Sequence, residues 1–466
     1  MSFFGSYIAG MKLTPDVVIR AIHAQSVAVG SVAVGSVAVG FSGGVDSTAL
    51  LYICKILRDR GDIKTLRAIH VHHGLSPLAD GWVDHARALC RNWDIPLSVH
   101  HVGFDDTSNV EEAAREARYQ VFESELHDGG VLLQGHHLDD QVETIMYRVM
   151  RGTGVAGLQG IPVSRPLGKG QIVRPLLGCE RKDIEAYAGE KHLEWIEDES
   201  NTDIRFDRNF LRNNVIPELV ERWPGMKIGL ARLAELSSEA EEILQGVADE
   251  DYGRCVVGCD VPVLGEAQLL DIHTLEALPV SRRSLLLREW LRREKLSVPS
   301  RATLLQVMEE VSGARVDGEP VVVWAGGEVR RYKHFLVACQ PVKKTVAFKS
   351  ILYKGESLTL PDQSRVECKG VTASSVKHGQ VCVSAGAFGV FSVRSEIDVQ
   401  PFSLPGRKGS KSLKKWLNEI GVPSWLRDRL PIFHDGDQLI AIPGLLVADG
   451  YQVEAGDPGI SMNWLS

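Results

Sequence analysis

Residues 36–47 read Ser-Val-Ala-Val-Gly-Phe-Ser-Gly-Gly-Val-Asp-Ser, and this stretch constrains the chain more than any other. The apolar run through Val37, Ala38 and Val39 has strand character, and Ala49, Leu50, Ile53 and Leu57 then recur on one helical face. The order is therefore strand, glycine turn, helix. Gly43 and Gly44 carry no Cβ, so the backbone can turn tightly and come close to a ligand. The N–H groups at the helix start face whatever fills the turn, and the helix dipole favours an anion there. Ser42 and Ser47 add hydroxyls, so Ser42, Gly43, Gly44, Val45, Asp46 and Ser47 together form a phosphate cradle. It is not the common one, because G-x-x-x-x-G-K-[ST] occurs nowhere in the chain. Two other readings fit the same letters. One is an ordinary capped helix, with Asp46 or Ser47 as cap. The other is a nucleophile elbow, since residues 40–44 match G-x-S-x-G. An elbow normally follows several strands, whereas only some forty residues precede this one, many of them in a repeat.

That repeat is Ser-Val-Ala-Val-Gly, three times in tandem over residues 26–40. One copy suffices for the strand entering the loop. The other ten residues either lengthen that strand or loop out, and a charge-free Val-rich run aggregates if exposed. Onward to about residue 150 the pattern alternates. Residues 65–71, 97–102 and 131–133 read as strands; Trp82, Ala86, Leu89 and Trp93 form a helical stripe. Ser108 to Glu111 resembles a capping box opening a helix through Ala113, Ala117 and Val121. A further helix spans about 138–150. Alternating strands and helices imply an α/β domain with a doubly wound parallel sheet. Ligands bind such sheets at the carboxyl ends of the strands. The loop, His72-His73-Gly74 and His136-His137 all follow strands, so they should share one rim.

A second cluster lies at residues 135–144, Gly-His-His-Leu-Asp-Asp-Gln-Val-Glu-Thr. Asp139 and Glu143 are i,i+4 on a helix, and Asp140 lies at the same end as His136. Carboxylates there can hold Mg²⁺, with Asp46 and Asp139 the candidates, bind a substrate ammonium, or take its proton. The plainer reading is that acids in a first helical turn suit the dipole. Arg115 and Arg118 fall at i,i+3 and can neutralise a leaving pyrophosphate, or simply pair with neighbouring acids. Arg151 opens Arg-Gly-Thr-Gly, which reads equally as a helix stop or a phosphate-touching loop.

The chain has 466 residues, enough for two or three domains, and its net charge of −8 requires any nucleic-acid contact to be local. Its eight cysteines are scattered with no C-x-x-C pair, which argues for reduced thiols rather than a zinc or disulfide framework. Residues 1–11 lack a basic n-region and do not read as a signal peptide. No apolar run reaches the length of a membrane span. A cytoplasmic protein without membrane contact is expected.

The hexapeptide at 42–47 resembles the signature of the PP-loop ATP-pyrophosphatases, which split ATP between the α- and β-phosphates and adenylate a substrate oxygen. Further motifs follow in the order of one family. They are HVHHGL (70–75), AREARY (114–119), GHHLDDQVET (135–144), RGTGVAGL (151–158), RPLL (174–177), EDESN (197–201) and RNFLRNNVIP (208–217). In that order they resemble the tRNA(Ile)-lysidine synthetases, and residues 402–451 resemble that family's C-terminal domain. The resemblance implies a carbon–nitrogen ligase. ATP would adenylate the C2 oxygen of the wobble cytidine of an isoleucine tRNA. The amine of L-lysine would then displace AMP, giving lysidine and a tRNA that reads AUA. It also implies ATP at residues 42–47, with Asp139, Asp140, Glu143 and Arg208 near the reacting centre. The tandem repeat departs from the family pattern. A PP-loop tRNA sulfurtransferase is the alternative, though it would usually show C-x-x-C. A non-catalytic RNA-binding relative is a third reading.

The expected domains are 1–220 for adenylation, 221–340 mainly helical and substrate-associated, and 341–466 a small α+β domain that binds tRNA. Residues 180–340 read as mainly helical in their first two-thirds, with strands at 321–324 and 329–337. Arg282, Arg283, Arg288, Arg292 and Arg293 load one helix, which is either a solvated or an RNA-facing surface. Leu413, Trp416, Leu417 and Ile420 mark an amphipathic helix. Around it stand Arg407, Lys408, Lys411, Lys414 and Lys415, expected to contact tRNA, with Arg427 and Arg429 nearby. A homodimer is one candidate assembly.

Overall fold

The computed structural model describes residues 12–25, 34–74, 76, 78–103, 110–197, 203–313, 318–342, 347–353, 355–372, 381–384, 390–397, 399–453 and 457–465. The first eleven residues, the repeat copies up to residue 33, Leu75, the capping-box residues Ser108 and Asn109, and 198–201 of EDESN lie outside them. The chain divides into two compact units, Met1–Ile243 and Leu244–Ser466.

The first unit is an α/β layer structure. It runs α1 (Pro15–Gln25), β1 (Val34–Gly40), α2 (Val45–Asp59), β2 (Ile63–His72), α3 (Ala79–Asn92), β3 (Leu97–His101), α4 (Val110–Glu125), β4 (Val131–Leu133) and α5 (Leu138–Met150). Then come α6 (Val155–Leu158), β5 (Ser164–Leu167), β6 (Gly170–Val173), α7 (Arg181–Glu190), α8 (Asp207–Phe210), a π-helical turn (Leu211–Val215), α9 (Ile216–Arg222) and the first part of α10 (Met226–Cys255), whose residues from Leu244 on belong to the second unit. The sheet order is β3-β2-β1-β4-β6-β5. All neighbours are parallel except the β5–β6 hairpin, which adds an antiparallel edge strand that the sequence pattern does not reveal. β1 pairs on both sides, Val39 lying opposite Ala68 on one flank and Leu133 on the other. A strand buried on both faces needs apolar residues throughout, which explains the uniform Val-Ala-Val run. Val37, Val39, Leu50, Ile53 and Leu57 are fully buried in the core beneath it.

The second unit carries β7 (Val256–Val261), β8 (Gly265–Asp271), α11 (Ile272–Glu276), α12 (Val280–Arg293), α13 (Arg301–Gln306), β9 (Val321–Trp324), β10 (Gly327–Tyr332) and β11 (Phe335–Cys339). These strands form an antiparallel sheet in the order β7-β8-β11-β10-β9. Two readings are corrected here. Residues 256–271 are a hairpin within a stretch expected to be helical. The single strand expected at 329–337 is two strands, turning at Lys333, which takes a positive φ of 56°. The alternating pattern survives the turn, so periodicity alone cannot see it.

Beyond lie β12 (Lys349–Tyr353), β13 (Ser357–Thr359), β14 (Arg365–Thr372), β15 (Cys382–Ser384), β16 (Val390–Arg394), α14 (Leu413–Ile420), β17 (Ile432–Asp435), β18 (Gln438–Ile442), β19 (Leu446–Val447) and β20 (Pro458–Leu465). They build two antiparallel sheets. Leu413, Trp416 and Leu417 of α14 are fully buried against Ile432 and Ile442.

Candidate active site

The loop after β1 is held by its own side chains. Ser42 and Ser47 hydroxyls lie 3.1 Å apart, the Ser47 hydroxyl donates to the Gly44 carbonyl, and the Thr48 hydroxyl donates to that of Gly43. Gly43 has φ +91°, and a Cβ there would sit 2.9 Å from Ile196 Cδ1. The Ile196 N–H donates to the Gly43 carbonyl at 2.9 Å, pinning the chain segment after α7 to the loop. Gly135, at the end of β4, also approaches closely: a Cβ there would be 3.1 Å from the Asp46 carbonyl carbon. The loop and the His-His-x-Asp-Asp segment therefore meet backbone to side.

His137 joins them. It caps α5, exchanging hydrogen bonds with Asp140, and is 1% exposed. Its Nε2 lies 3.6 Å from Asp46 Oδ1 and 3.5 Å from Asp140 Oδ2, and its Nδ1 lies 3.7 Å from Asp139 Oδ2. Burial opposes charge on this ring, but Asp140, Asp46 and Asp139 override it and raise its pKa to about 9. The Asp140 N–H to Nδ1 contact is long, at 3.4 Å, and an imidazolium gives it up for the carboxylates. Asp46 Oδ1 is itself buried with no hydrogen-bond partner.

The acids of α5 are already engaged. Asp139 accepts from the Arg181 N–H at 2.8 Å and from the Lys227 ammonium. Burial works against its charge, yet Lys227 and that N–H hold its carboxyl below the ordinary value. Glu143 takes Arg212 in a two-pronged pair at 2.6 and 2.9 Å, and the same guanidinium reaches Asp140 at 3.4 Å. Burial nevertheless raises the Glu143 pKa, outweighing Arg212. Arg208 reaches the Thr144 hydroxyl at 3.4 Å, one residue from Glu143.

The neighbouring rim is basic. Arg174, 2% exposed, donates to the Pro162 carbonyl and to His136 Nδ1. His136 is thus an acceptor, and burial pushes its pKa down to about 4 despite Asp140, with Arg174 and Arg115 adding to the fall. The adjacent histidines hold opposite protonation states at neutral pH. Arg115 and Arg165 lie over the Tyr119 ring at 5.3 and 4.4 Å. Arg118 donates to His73 Nε2 at 3.0 Å, and burial, then Arg118, depresses the His73 pKa to about 4. Arg151 stands apart: it follows the far end of α5, roughly 20 Å of helix from the cap, and donates to the Tyr147 hydroxyl. The segment after it runs back along α5, with Arg148 of the last turn donating to the Gly157 and Gly160 carbonyls and Gln141 of the first turn donating to those of Gln159 and Ile161.

In the second unit, four of the five arginines of α12 have partners within it, Arg292 reaching Glu289 at 3.6 Å. Arg282 makes two 2.7 Å bonds to buried Asp251, Arg283 bonds the Leu278 carbonyl, and Arg293 pairs with Glu289. Around α14, Arg407 and Lys411 both pair with Glu419 and lie over the Trp416 ring. Lys408, Lys414 and Lys415 are exposed, with no ion pair among the described residues.

Sequence reasoning named Arg208 in the RNFLRNN segment but missed Arg212, whose guanidinium takes the acids. It also missed Lys227, Arg181 and Arg174, partners distant in sequence. Arg174 carried a signal in RPLL and Arg212 one in RNFLRNNVIP; Lys227 and Arg181 carried none.

Family models match the chain in three places. A PP-loop domain matches residues 20–219, a TilS substrate binding domain 270–337 and a TilS substrate C-terminal domain 391–464. The tRNA(Ile)-lysidine synthase of Enterobacter sp. (strain 638) is 39% identical over 91% of this chain and 95% of its own length. That of Serratia proteamaculans (strain 568) is 38% identical over 91% and 94%. Among solved structures, a U34-tRNA thiolase from Methanococcus maripaludis matches 48% of this chain and 79% of its own, with TM-score 0.39 and 20% identity. Matched along this length by relatives of this identity, the chain belongs to the tRNA(Ile)-lysidine synthase family.

Proposed function

We propose that this protein uses ATP to activate the C2 oxygen of the wobble cytidine in an isoleucine tRNA and then joins L-lysine to that carbon. In the first step the C2 oxygen attacks the α-phosphorus and pyrophosphate leaves. In the second the lysine amine forms a C–N bond, the C–O bond breaks, AMP departs with the oxygen, and the amine loses a proton. The observation that carries the reading is the union of the two motifs at His137, where Asp46 of the phosphate loop and Asp140 of the acid helix converge within 3.6 Å. Nucleotide and nucleophile sites must adjoin for such a transfer.

Ser42, Gly43, Gly44, Val45, Asp46 and Ser47 would hold the ATP phosphates through backbone N–H groups and hydroxyls. Asp46 Oδ1, buried without a hydrogen bond and 3.6 Å from His137 Nε2, keeps lone pairs that a hard cation would take. Asp46 would be the principal Mg²⁺ ligand and Asp139 the neighbouring one, though Asp139 already holds Lys227. The metal would offset phosphate charge. Asp140 and Glu143 would receive the lysine ammonium, in exchange for Arg212. Arg208 would face the reacting centre, Arg115 and Arg118 the phosphates, and Arg151 the tRNA. Residues 1–220 would carry adenylation, 221–340 substrate contacts, and 341–466 tRNA binding through Arg407, Lys408, Lys411, Lys414 and Lys415. Among the described residues no helix is long and apolar enough to cross a membrane, and the cytoplasm supplies all three substrates. The test is incubation with tRNA, ATP and labelled lysine, followed by digestion to nucleosides. Label in a modified cytidine is expected; AMP formation with no label in the tRNA refutes the reading.

A further inference from the structure

Buried polar atoms without partners are uncommon in folded proteins, and each calls for an explanation. Among the described residues there are six such side-chain atoms; Tyr187 OH and Trp425 Nε1 lie elsewhere, and four belong to the loop rim: Asp46 Oδ1, His72 Nε2, His73 Nδ1 and His85 Nε2. Asp46 faces His137, and His72 Nε2 lies 3.2 Å from Asp80 without hydrogen-bond alignment. His85 has no such company. It projects from the middle of α3, where Val83, Ala86 and Leu89 bury the helix against the sheet and fix the orientation of the residue between them. A Cβ built on Gly43 would lie 4.0 Å from His85 Cδ2, the ring carbon bonded to Nε2. The orphaned nitrogen therefore stands beside the glycine at which the loop opens.

We propose that His85 is a further ATP-binding residue, its Nε2–H donating to a phosphate oxygen held in the 42–47 loop. A phosphate there gives the buried nitrogen the acceptor it lacks. The loop's backbone N–H groups would grip from the start of α2 and the imidazole from α3 beside Gly43. A neutral imidazole suffices, since one ring nitrogen always carries a proton. Gly43 is then glycine for a second reason: a side chain there would crowd Ile196 and reach towards the ring that contacts the ligand.

The proposal rests on the loop being an ATP site, and the experiment separates the two. The probes are ATP, AMP and inorganic pyrophosphate, titrated against the full-length protein without tRNA. The variants are His85→Leu, which removes the nitrogen; His85→Gln, whose amide reaches the Nε2 position; and His85→Asn, whose amide mimics Nδ1. A hydrogen bond to a charged group corresponds to roughly a tenfold to hundredfold change in Kd. His85→Leu should weaken ATP by about that much, Gln should recover most of it, and Asn should not. Whichever of AMP or pyrophosphate weakens in parallel identifies the phosphate touched. If Leu, Gln and Asn all bind ATP, AMP and pyrophosphate within twofold of wild type, the nitrogen contacts no phosphate and the proposal falls. Should His85→Leu fail to fold, the Gln-to-Asn contrast decides alone, with equal affinities overturning the proposal. A wild-type protein that binds ATP but forms no lysidine would overturn the functional reading and leave the His85 result standing.

Discussion

Gly43 and His137 define the site at the level of single residues. Gly43 meets three demands at once: a φ of +91°, contact with Ile196, and an open approach for a ligand. Gly43→Val should therefore lose ATP-dependent AMP formation by at least about a hundredfold, while left-handed backbone strain of about 1–3 kcal/mol lowers stability without abolishing folding. Pyrophosphate release and a thermal melt measure the two effects; unaltered release would remove the loop from the mechanism. His137 makes a different demand, set by pH. Its pKa of about 9 exceeds the 6.5 of an unperturbed ring. Below the unfolded value both states are protonated and the stabilisation is complete. As pH rises from 6.5 towards 9, the unfolded chain releases the proton first, so stability drains away. His136, with a folded value of about 4, has the opposite sign: its contribution is complete above 6.5 and is lost as pH falls towards 4. His73 acts in the same direction as His136. Stability should peak near the unperturbed value, and His137→Gln should flatten the alkaline limb alone in urea titrations across that range. An alkaline limb that keeps its slope in the variant would mean that the ring is neutral in the folded protein.

Arg212 owes its position to an element, the π-helical turn Leu211–Val215 between α8 and α9. A π-turn widens the helix by one residue and is frequent at functional sites. Arg212→Leu leaves Glu143, 3% exposed, buried beside Asp140 without its cation. The expected loss is about 2–4 kcal/mol, below the top of the range for buried pairs because Arg212 is partly exposed. Adding Glu143→Gln should restore part of it, and equal stability of the single and double variants in urea titrations would disprove the pairing. β1 makes the tandem repeat testable in the same way. α1 ends at Gln25 and β1 starts at Val34, so deleting residues 26–30 keeps the whole strand and a short link. Deleting 26–35 removes Val34 and its pairing with Ile63, and joins helix to strand without a turn. The five-residue deletion should preserve the melting temperature and the ten-residue deletion should lower it; the expectation that one copy suffices is corrected, because β1 begins at Val34 in the second copy. Elements of this kind were legible where pattern and punctuation agree. The strand before Ser42, the helix Leu138–Met150 and the helix Leu413–Ile420 follow directly from spacing. The hairpins at 164–173 and 256–271 did not: the four-residue strands of the first are too short to set a period, and β7 is exposed on both faces, so no alternation marks it. In the site, the loop and the acid cluster were visible as motifs. Lys227 and the Arg181 N–H were not, because a bond across 42 to 88 residues leaves no local trace; Arg212 sat in the RNFLRNNVIP motif, but nothing local shows that it, and not Arg208, takes the acids.

On the scale of the whole molecule, the net charge of −8 stands against a polyanionic tRNA. Productive binding must then come from local basic surfaces. Two were open from the sequence, and their side-chain partners separate them. The arginines of α12 are largely committed to Asp251, Glu289 and backbone carbonyls, which makes that helix a brace within its own unit. Around α14 the balance differs. Arg407 and Lys411 share Glu419 and cover Trp416, so they are partly neutralised. Lys408, Lys414 and Lys415 are the exposed charges, and each one placed on a phosphate releases counterions. Reversing these three to Glu should weaken tRNA binding and reduce the magnitude of the log–log salt slope by roughly 0.7 to 0.9 per lost contact. Reversing Arg407 and Lys411 instead should have a smaller effect on the slope, but it should destabilise α14 by setting like charges against Glu419. ATP affinity should survive both changes, because the phosphate loop belongs to the other compact unit. Filter binding across a salt series, with ATP titration as the control, reads all three. A slope unchanged by the Lys408, Lys414 and Lys415 reversals would make this helix a solvated face and move the tRNA surface elsewhere in the chain.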